Sequence, residues 1–339
     1  MTLSEDQRNT LARAIQTGFP LERDPWAALE RETGIDAEEV RSQLAHWHDQ
    51  GLLREVSAVL EGSALGYDSA LCAGEVPEPA LERVAGILNE HPTITHNYRR
   101  NHRYNLWFTL AVPFEMGIEP TLKRLARATG VSGYHALRRT RTFKIGVNFD
   151  LKRCCSVTPK RELTAARAVE VGPDERRMFR ALQTPLPLVR RPFTAIADEA
   201  RTDEGTLLDF AHHHLGGAMR RYVGTFRHRA LGVRGNGMAV WNVPEADHER
   251  VGALLASAPE VSHCYARNPI EGFEYTVYSM IHGPDADAVR SVTARLSEHT
   301  GIDDYVILFS SREYKKCRLR YFLPELDAWW ETHSEGMAA

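Results

Sequence analysis

Two stretches that lie 167 positions apart decide how this chain is organised. Residues 14–26 read AIQTGFPLERDPW and residues 181–193 read ALQTPLPLVRRPF, so seven of 13 positions are identical. The same offset places HNYRRN at residues 96–101 on HCYARN at residues 263–268. Matches that recur in the same order at one offset are the signature of an internal repeat. The 339 residues are therefore predicted to be one unit of about 165 residues that has been duplicated.

The second copy is slightly longer than the first. Arg141-x-x-Lys144 matches Arg312-x-x-Lys315 at an offset of 171, so four extra residues lie between these points. The longer turn around residues 269–272 accounts for them. A linker near residues 155–172 is expected to join the two halves.

Each half begins with a helical segment. Within residues 4–50, Ser4 is suited to cap a first helix, Asp24-Pro25 to begin a second, and Gly34 to end it. A third helix and an extended stretch near residues 54–60 follow, an order that resembles a winged helix-turn-helix. Residues 173–221 repeat this pattern, with glycines at 216–217 interrupting the third helix.

The remainder of each half alternates strands and helices. In the first half the apolar pattern predicts helices near residues 78–89 and 117–128, and strands near residues 56–60, 69–76, 94–100, 105–112 and 136–147. This order resembles the βαββαβ arrangement of ferredoxin-like domains. The predicted fold class is α+β, with these parts: winged helix-turn-helix 1–54, ferredoxin-like domain 55–154, linker 155–172, winged helix-turn-helix 173–221, ferredoxin-like domain 222–325 and C-terminal tail 326–339.

Composition excludes several classes of protein. The 42 Lys and Arg against 45 Asp and Glu leave a net charge of -3, which offers no general attraction to nucleic acid. No apolar run approaches the roughly 20 residues of a membrane span, and the N-terminus does not read as a secretory signal. Five scattered cysteines form no Cys-x-x-Cys pair, so neither a disulfide framework nor a structural zinc site is expected. The expected location is the cytoplasm.

The predicted helix-turn-helix segments carry the wrong charge for DNA. Residues 36–50 hold four acids against Arg41 alone, and the matching stretch of the second half holds Asp203, Glu204 and Asp209 against Arg201. A recognition helix needs Lys or Arg for its phosphate contacts. The segments are therefore expected to serve packing and dimerisation, with no nucleic acid as partner.

Basic and aromatic residues are concentrated on strands instead. Strand periodicity places His96, Tyr98 and Arg100 on one sheet face, and their repeats on the corresponding face of the second half. Helices cover only one face of a βαββαβ sheet, so the other is expected to meet the sheet of the second half. A cavity between two such sheets, lined by imidazole, phenol and guanidinium groups, suits a large, planar, polyanionic ligand. The alternative is that these His and Tyr residues are structural.

Long strings of residues then resemble a known family. They include residues 96–109 (HNYRRNHRYNLWFT), 227–232 (RHRALG), 237–244 (GMAVWNVP), 262–265 (SHCY) and 278–283 (YSMIHG). Over nearly the whole chain the sequence resembles the Lrp/AsnC architecture and, within it, the siroheme decarboxylases. It is similar to a fusion of the two subunit types used in haem d1 biosynthesis.

The resemblance implies a carboxy-lyase that converts siroheme to 12,18-didecarboxysiroheme by removing two acetate carboxyl groups as CO2. It implies no added cofactor and no metal beyond the iron of the substrate, and it leaves open a homo-oligomer. Loss of CO2 requires a proton donor, and a desolvated imidazolium is suited to that role. The candidate catalytic residues, as proton donors or as ligands of the substrate iron, are His96, His102, His228 and His263. The candidate substrate-binding residues, which would orient the ring through its retained carboxylates, are Tyr98, Arg99, Arg100, Arg227, Arg229, Tyr265 and Arg267.

The two halves are not equivalent. The second half has Arg227-His228-Arg229 where the first has Glu61-Gly62-Ser63, which motivates the hypothesis that one half carries a degenerate pocket. Two other functions compete with catalysis. One is a transcriptional regulator, since amino-acid-sensing relatives share the fold, and the other is a tetrapyrrole-binding protein without turnover.

Overall fold

The computed structural model describes residues 3–145, 149–150, 155–156, 168–226 and 235–334. Within them the chain forms two compact units. The described parts of the first unit are residues 3–66, 149–150, 155–156 and 168–226, and those of the second are residues 67–145 and 235–334. One unit therefore contains the helical segments of both halves, and the other contains the αβ segments of both halves.

The first unit is built from two sets of three helices, each followed by a strand. Local sequence explains how the helices begin and end: Ser4 and Gln7 form a capping box, Asp24 caps a helix that has Pro25 at its first position, and Gly34 ends that helix at φ 71°. The bounds are α1 Glu5–Thr17, α2 Pro25–Thr33, α3 Ala37–Asp49, β1 Leu53–Leu60, α6 Pro173–Leu182, α7 Pro192–Ala200, α8 Glu204–His214 and β8 Met219–Phe226. In the described part of this unit β1 pairs with β8, and β6 Phe149–Asp150 pairs with β7 Cys155–Ser156.

The strand after each helical segment stays with the helices. β1 pairs antiparallel with β8, with Val56 opposite Gly224 and Ala58 opposite Tyr222. The expectation that residues 56–60 begin the ferredoxin-like domain therefore differs from the structure. The reason is that the backbone groups of β1 are satisfied by the equivalent strand of the other half and not by the αβ sheet.

The second unit contains the two βαββαβ segments. In each, two helices cover one face of a four-stranded sheet. The first segment comprises β2 Tyr67–Gly74, α4 Leu81–Glu90, β3 His96–Arg100, β4 Leu106–Pro113, α5 Ile118–Thr129 and β5 His135–Ile145. The second comprises β9 Gly235–Trp241, α9 His248–Ser257, β10 Val261–Arg267, β11 Val277–Gly283, α10 Ala286–Thr300 and β12 Tyr305–Lys316. The predicted α+β class with a repeated helix-turn-helix and αβ unit is confirmed.

The two sheets join edge to edge and close into one barrel. The strand order around it is β10-β11-β9-β12-β3-β4-β2-β5. The last strand of each segment is long enough to serve both: residues 135–138 of β5 pair with β2, while residues 139–145 pair with β10. In the same way β12 pairs first with β9 and then with β3. The sequence predicted two sheets meeting face to face. The edge-to-edge arrangement differs because β3 and β10 would otherwise present unpaired edges.

Aromatic and aliphatic side chains from both segments meet inside the barrel. They include Trp107 and Leu137 from the first and Val240, Tyr278 and Leu308 from the second, all of them buried. An eight-stranded barrel is just wide enough for its interior to be filled by side chains. The barrel is thus a shared core that neither segment completes alone.

The C-terminal part of the second unit is helical. Helix α11 spans Pro324–Thr332, within the stretch expected to be a tail. Leu326 is buried, Trp329 contacts the His91 ring at 4.2 Å between centroids, and Trp330 lies under the Arg124 guanidinium at 3.7 Å. No helix in the described ranges is long and apolar enough to cross a membrane.

Two helix glycines provide a matched test of how β5 packs on the second segment. A Cβ on Gly252 of α9 would lie 2.5 Å from the Phe143 ring of β5, whereas a Cβ on Gly86 of α4 would meet nothing within 4 Å. We expect Gly252→Ala to lower the free energy of unfolding by about 1–3 kcal/mol through overpacking. Gly86→Ala should raise it by up to about 1 kcal/mol, because alanine favours a helix. Urea unfolding of both variants measures this, and equal stabilisation by both would contradict the contact.

Candidate active site

The predicted motif of the first half lies on β3, with its long polar side chains on one face. His96 and Tyr98 have ring centroids 6.1 Å apart, and the Arg100 guanidinium lies 5.6 Å from the centre of the Tyr98 ring. Asn97 points to the other face, where it donates to Ala85 O of α4. Tyr98 is opposite Trp107 in the pairing of β3 with β4, so the His-Tyr-Arg face is the one turned to the barrel interior.

The second half repeats this arrangement on β10. His263 and Tyr265 have ring centroids 6.1 Å apart, and the Arg267 guanidinium lies 5.4 Å from the Tyr265 ring centre. Cys264 packs towards α9, as shown by its contact with Gly252 O. Tyr265 is opposite Tyr278, an interior residue. The duplication has therefore preserved the geometry as well as the residues.

The two motif strands lie on opposite sides of the barrel. Four pairings separate β3 from β10 in either direction, and every one is antiparallel. An even number of antiparallel steps leaves the two strands parallel. His96 and His263 consequently share one end of the barrel, and Arg100 and Arg267 share the other.

Both motif arginines are largely buried without an acid beside them. Arg100 is 6% exposed and its Nη1 donates to Leu308 O, while Arg267 Nη1 donates to Leu137 O at 2.9 Å. The Nε of each lacks a partner, and neither pairs with a carboxylate, in the part of the chain that the structure describes. Burial lowers the pKa of Arg100 to about 10, so Arg100 remains a cation at neutral pH, and burial also lowers the pKa of Arg267.

The motif face is nevertheless accessible. His96, Tyr98, His263 and Tyr265 are half-buried, whereas Asn97 on the opposite face is fully buried. The residues paired with this face across β12 are exposed: Glu313 opposite Tyr98 and Lys316 opposite His96. A ligand can therefore reach the imidazole and phenol groups along these strands.

Hydroxyl groups hold the two motif histidines, a feature that the sequence reasoning missed. His96 Nδ1 lies 3.1 Å from Thr95 Oγ1, and His263 Nδ1 lies 2.9 Å from Ser262 Oγ. Ser262 Oγ also lies 2.6 Å from Nε2 of His282 on β11. The signal was present in the repeat, because each motif histidine is preceded by a hydroxyl residue.

His102 lies apart from His96. It occupies the turn between β3 and β4, near Arg100, and its backbone N–H donates to Arg100 O. Its Nδ1 accepts from the Tyr104 backbone N–H at 3.1 Å, and its ring contacts Phe273 at 5.0 Å between centroids. Burial and, to a smaller extent, Arg103 lower the pKa of His102. The two candidate histidines of the first half therefore serve opposite ends of the barrel.

The other predicted site residues fall elsewhere. Arg99 projects from the opposite face of β3 and pairs with Glu78, and its predicted substrate contact stays a prediction. Arg227, His228 and Arg229 lie outside the described residues. No group of three or more His, Cys, Asp or Glu residues within the described ranges could hold a metal ion.

Both parts of this architecture match families of known proteins. The AsnC-like ligand binding domain matches residues 64–144 and 230–315, and the siroheme decarboxylase NirDL-like HTH domain matches residues 9–54 and 175–213. Siroheme decarboxylase of Hydrogenobacter thermophilus is 35% identical over 326 residues, which cover 95% of this chain and 96% of the relative. The chain belongs to the siroheme decarboxylase family.

Further members of the family agree over the full length. The siroheme decarboxylase NirDL subunit of Paracoccus pantotrophus is 32% identical, covering 90% of this chain and 94% of the relative. The crystal structure of the siroheme decarboxylase NirDL in co-complex with an iron-uroporphyrin III analogue matches with a TM-score of 0.79 at 31% identity. That match covers 96% of this chain and 98% of the other. These full-length relatives therefore share with this chain both the duplication and its order along the sequence.

The half-buried His282 side chain predicts how acid affects stability. Burial, followed by the nearby Lys316 charge, lowers the pKa of His282 to about 4 from an ordinary value of 6.5. Above pH 6.5 the His282 imidazole is neutral in both the folded and the unfolded chain. As the pH falls from 6.5 towards 4 the unfolded chain alone gains the proton, which removes up to about 3 kcal/mol of stability.

We therefore expect His282→Gln to lose less stability than the parent chain between pH 7 and pH 4. Urea unfolding at a series of pH values measures the difference. The comparison between the two proteins removes the contribution of carboxylates, which titrate in both. Parallel curves for the two proteins would show that His282 is not held neutral by the fold.

Proposed function

We propose that this chain converts siroheme to 12,18-didecarboxysiroheme, with the release of two acetate carboxyl groups as CO2, in haem d1 biosynthesis. Membership of the siroheme decarboxylase family along nearly the whole chain supports this reaction. The proposal includes no added cofactor, since the iron belongs to the substrate. A homo-oligomer and a cytoplasmic location are compatible with it.

The observation that carries the proposal is the pair of largely buried guanidiniums without carboxylate partners. Removing a cation from water is costly unless an opposite charge or several hydrogen bonds compensate it. Arg100 and Arg267 each have a backbone carbonyl and aromatic rings instead. An incoming carboxylate would complete their hydrogen bonding, and siroheme carries eight carboxylates on a flat ring.

The chemistry assigned to the site is proton donation beside an immobilised carboxylate. The bond between the acetate CH2 and its carboxylate breaks, CO2 leaves, and the electron pair is delocalised into the macrocycle. An imidazolium then delivers one proton to the CH2 carbon, which becomes a methyl group. The arginines hold the carboxylates that are retained, so the reacting acetate faces a histidine.

We assign the proton donation to His96 and His263. They occupy equivalent positions at one end of the barrel, half-buried, with Nδ1 held by a hydroxyl group. Nε2 is therefore the nitrogen that transfers the proton. His102, whose Nδ1 accepts from a backbone N–H, is better suited to binding near the arginines.

Nucleic acid is not among the proposed partners. The first turn of α3 carries Glu38 and Glu39. The first turn of α8 carries Glu204, and Asp203 caps that helix. These groups repel phosphates. We propose that the helix-turn-helix segments serve the assembly of the protein.

Turnover separates an enzyme from a carrier. Anaerobic incubation with siroheme, followed by mass spectrometry, should show two successive losses of CO2. His96→Ala and His263→Ala should each reduce kcat by about 10²–10⁴ while retaining affinity for siroheme, because an acid that only transfers a proton contributes that much to rate. His299→Ala, on the exposed last turn of α10, is the matched control and should leave the rate unchanged. Binding without any CO2 release would make the protein a carrier.

The guanidinium assignment has its own test. Arg267→Met removes a largely buried charge, so we expect stability within about 1 kcal/mol of the parent chain. Affinity for siroheme should fall at least about tenfold, because a charge-assisted hydrogen bond is lost. Fluorescence quenching gives the affinity and urea unfolding gives the stability, with Arg290→Met on the surface of α10 as control. A large loss of stability with unchanged affinity would identify Arg267 as structural.

A further inference from the structure

The two motifs differ in the group that ends a hydrogen-bonded chain of three side chains: it is an imidazole in the second half and a hydroxyl in the first. Ser262 Oγ lies between two imidazoles, 2.9 Å from His263 Nδ1 and 2.6 Å from His282 Nε2. In the first half Thr95 Oγ1 takes the place of Ser262, but its other partner is the Thr109 hydroxyl at 2.9 Å. Ala111 stands where the second half has His282, at the 171-residue offset.

Local backbone geometry makes this chain possible. Adjacent residues on a regular strand point to opposite faces. Between Val261 and His263 the pairing of β10 with β11 shifts register, and such an irregularity redirects side chains. Ser262 can therefore reach both His263, the motif residue that follows it, and the neighbouring strand, where it also donates to Met280 O at 3.4 Å.

The number of protons on a hydroxyl couples the states of the two histidines. A serine hydroxyl has one proton to donate and two lone pairs to accept with. When His263 is an imidazolium, its Nδ1–H donates to Ser262, and Ser262 donates its own proton to Nε2 of His282. That arrangement requires a neutral His282, which can accept.

The surroundings of His282 keep it neutral. Burial is the main cause that lowers its pKa, and the Lys316 charge adds to it. The other charged groups near this end of the strands are accounted for: Glu260 pairs with Arg295 and its backbone oxygen accepts from the His282 N–H, and the Lys144 amine donates to Ala258 O.

We propose that Ser262 and His282 are positioning residues that hold His263 as the proton donor of the decarboxylation. This inference rests on the proposed function and adds two residues to its machinery. In the step itself the C–CO2 bond breaks, CO2 leaves, and the new methyl carbon takes the proton from Nε2 of His263. His263 is left neutral, with its remaining proton on Nδ1 donated to Ser262. In the first half the corresponding contact of Thr95 is with the Thr109 hydroxyl, so the two motif histidines are held through different terminal groups.

The test compares turnover of the full chain with siroheme under anaerobic conditions. Ser262→Ala and His282→Ala should lower kcat by about 10- to 100-fold, the equivalent of one hydrogen bond to a charged group, with KM changed little. Ser262→Thr should keep kcat near the parent value, because Thr95 makes the same hydroxyl contact with His96 in the first half. His282→Gln should lose much less kcat than His282→Ala, because the glutamine amide oxygen is a neutral acceptor. This variant also keeps the test valid if His282→Ala does not fold.

A double variant separates positioning from a general structural effect. If Ser262 acts through His263, Ser262→Ala should cause no further loss of kcat in a His263→Ala background. Thr95→Ala in the first half is the matched control for removing a hydroxyl beside a motif histidine. Its effect on kcat should be the same with and without the His282→Gln substitution.

The results distinguish this inference from the proposed function. If the parent chain turns over siroheme and Ser262→Ala leaves kcat unchanged, the positioning role alone is overturned. The same holds if Ser262→Ala lowers kcat further in the His263→Ala background. A parent chain that binds siroheme without releasing CO2 overturns both.

Discussion

Closure of the barrel depends on two strands that are longer than their own segment requires. β5 and β12 each pair with a strand of their own sheet and then continue along the edge strand of the other sheet. Every edge is thereby covered, which is the main protection that a sheet has against pairing with other chains. The strands that receive this pairing are β3 and β10, the two that carry the His-Tyr-Arg motif. The candidate site is thus held in place by hydrogen bonds from the opposite repeat.

The buried guanidiniums work against this stability. The fold keeps two cations in its interior with carbonyl oxygens and phenol rings beside them and with an Nε that lacks a partner among the described residues. Such an arrangement costs free energy in the unliganded chain, and a protein selected for stability alone would place apolar residues there. The cost is understandable if a polyanionic ligand supplies the missing acceptors. Stability and binding are then opposed at the same two residues.

Duplication within one chain has allowed the halves to diverge while the barrel keeps its symmetry. Trp107 fills the interior on one side where Tyr278 stands on the other, and Ala111 corresponds to His282. The motif residues themselves have not changed type at positions 96, 98 and 100. Among the residues near the motif, divergence has changed those that set the hydrogen bonding of each histidine.

The amino-acid sequence by itself determined the duplication, the α+β class, the helix caps at Ser4, Asp24 and Gly34, and the face shared by His96, Tyr98 and Arg100. These are local or periodic properties, and a strand alternates its side chains whatever it pairs with. Only the tertiary structure decided that β1 pairs with β8, that the sheets join at their edges, and that Glu78 is the partner of Arg99. It also decided that His282, 20 residues beyond Ser262, completes a hydrogen-bonded chain with it. Pairing partners and contacts between strands depend on long-range packing, which no local pattern in the sequence encodes.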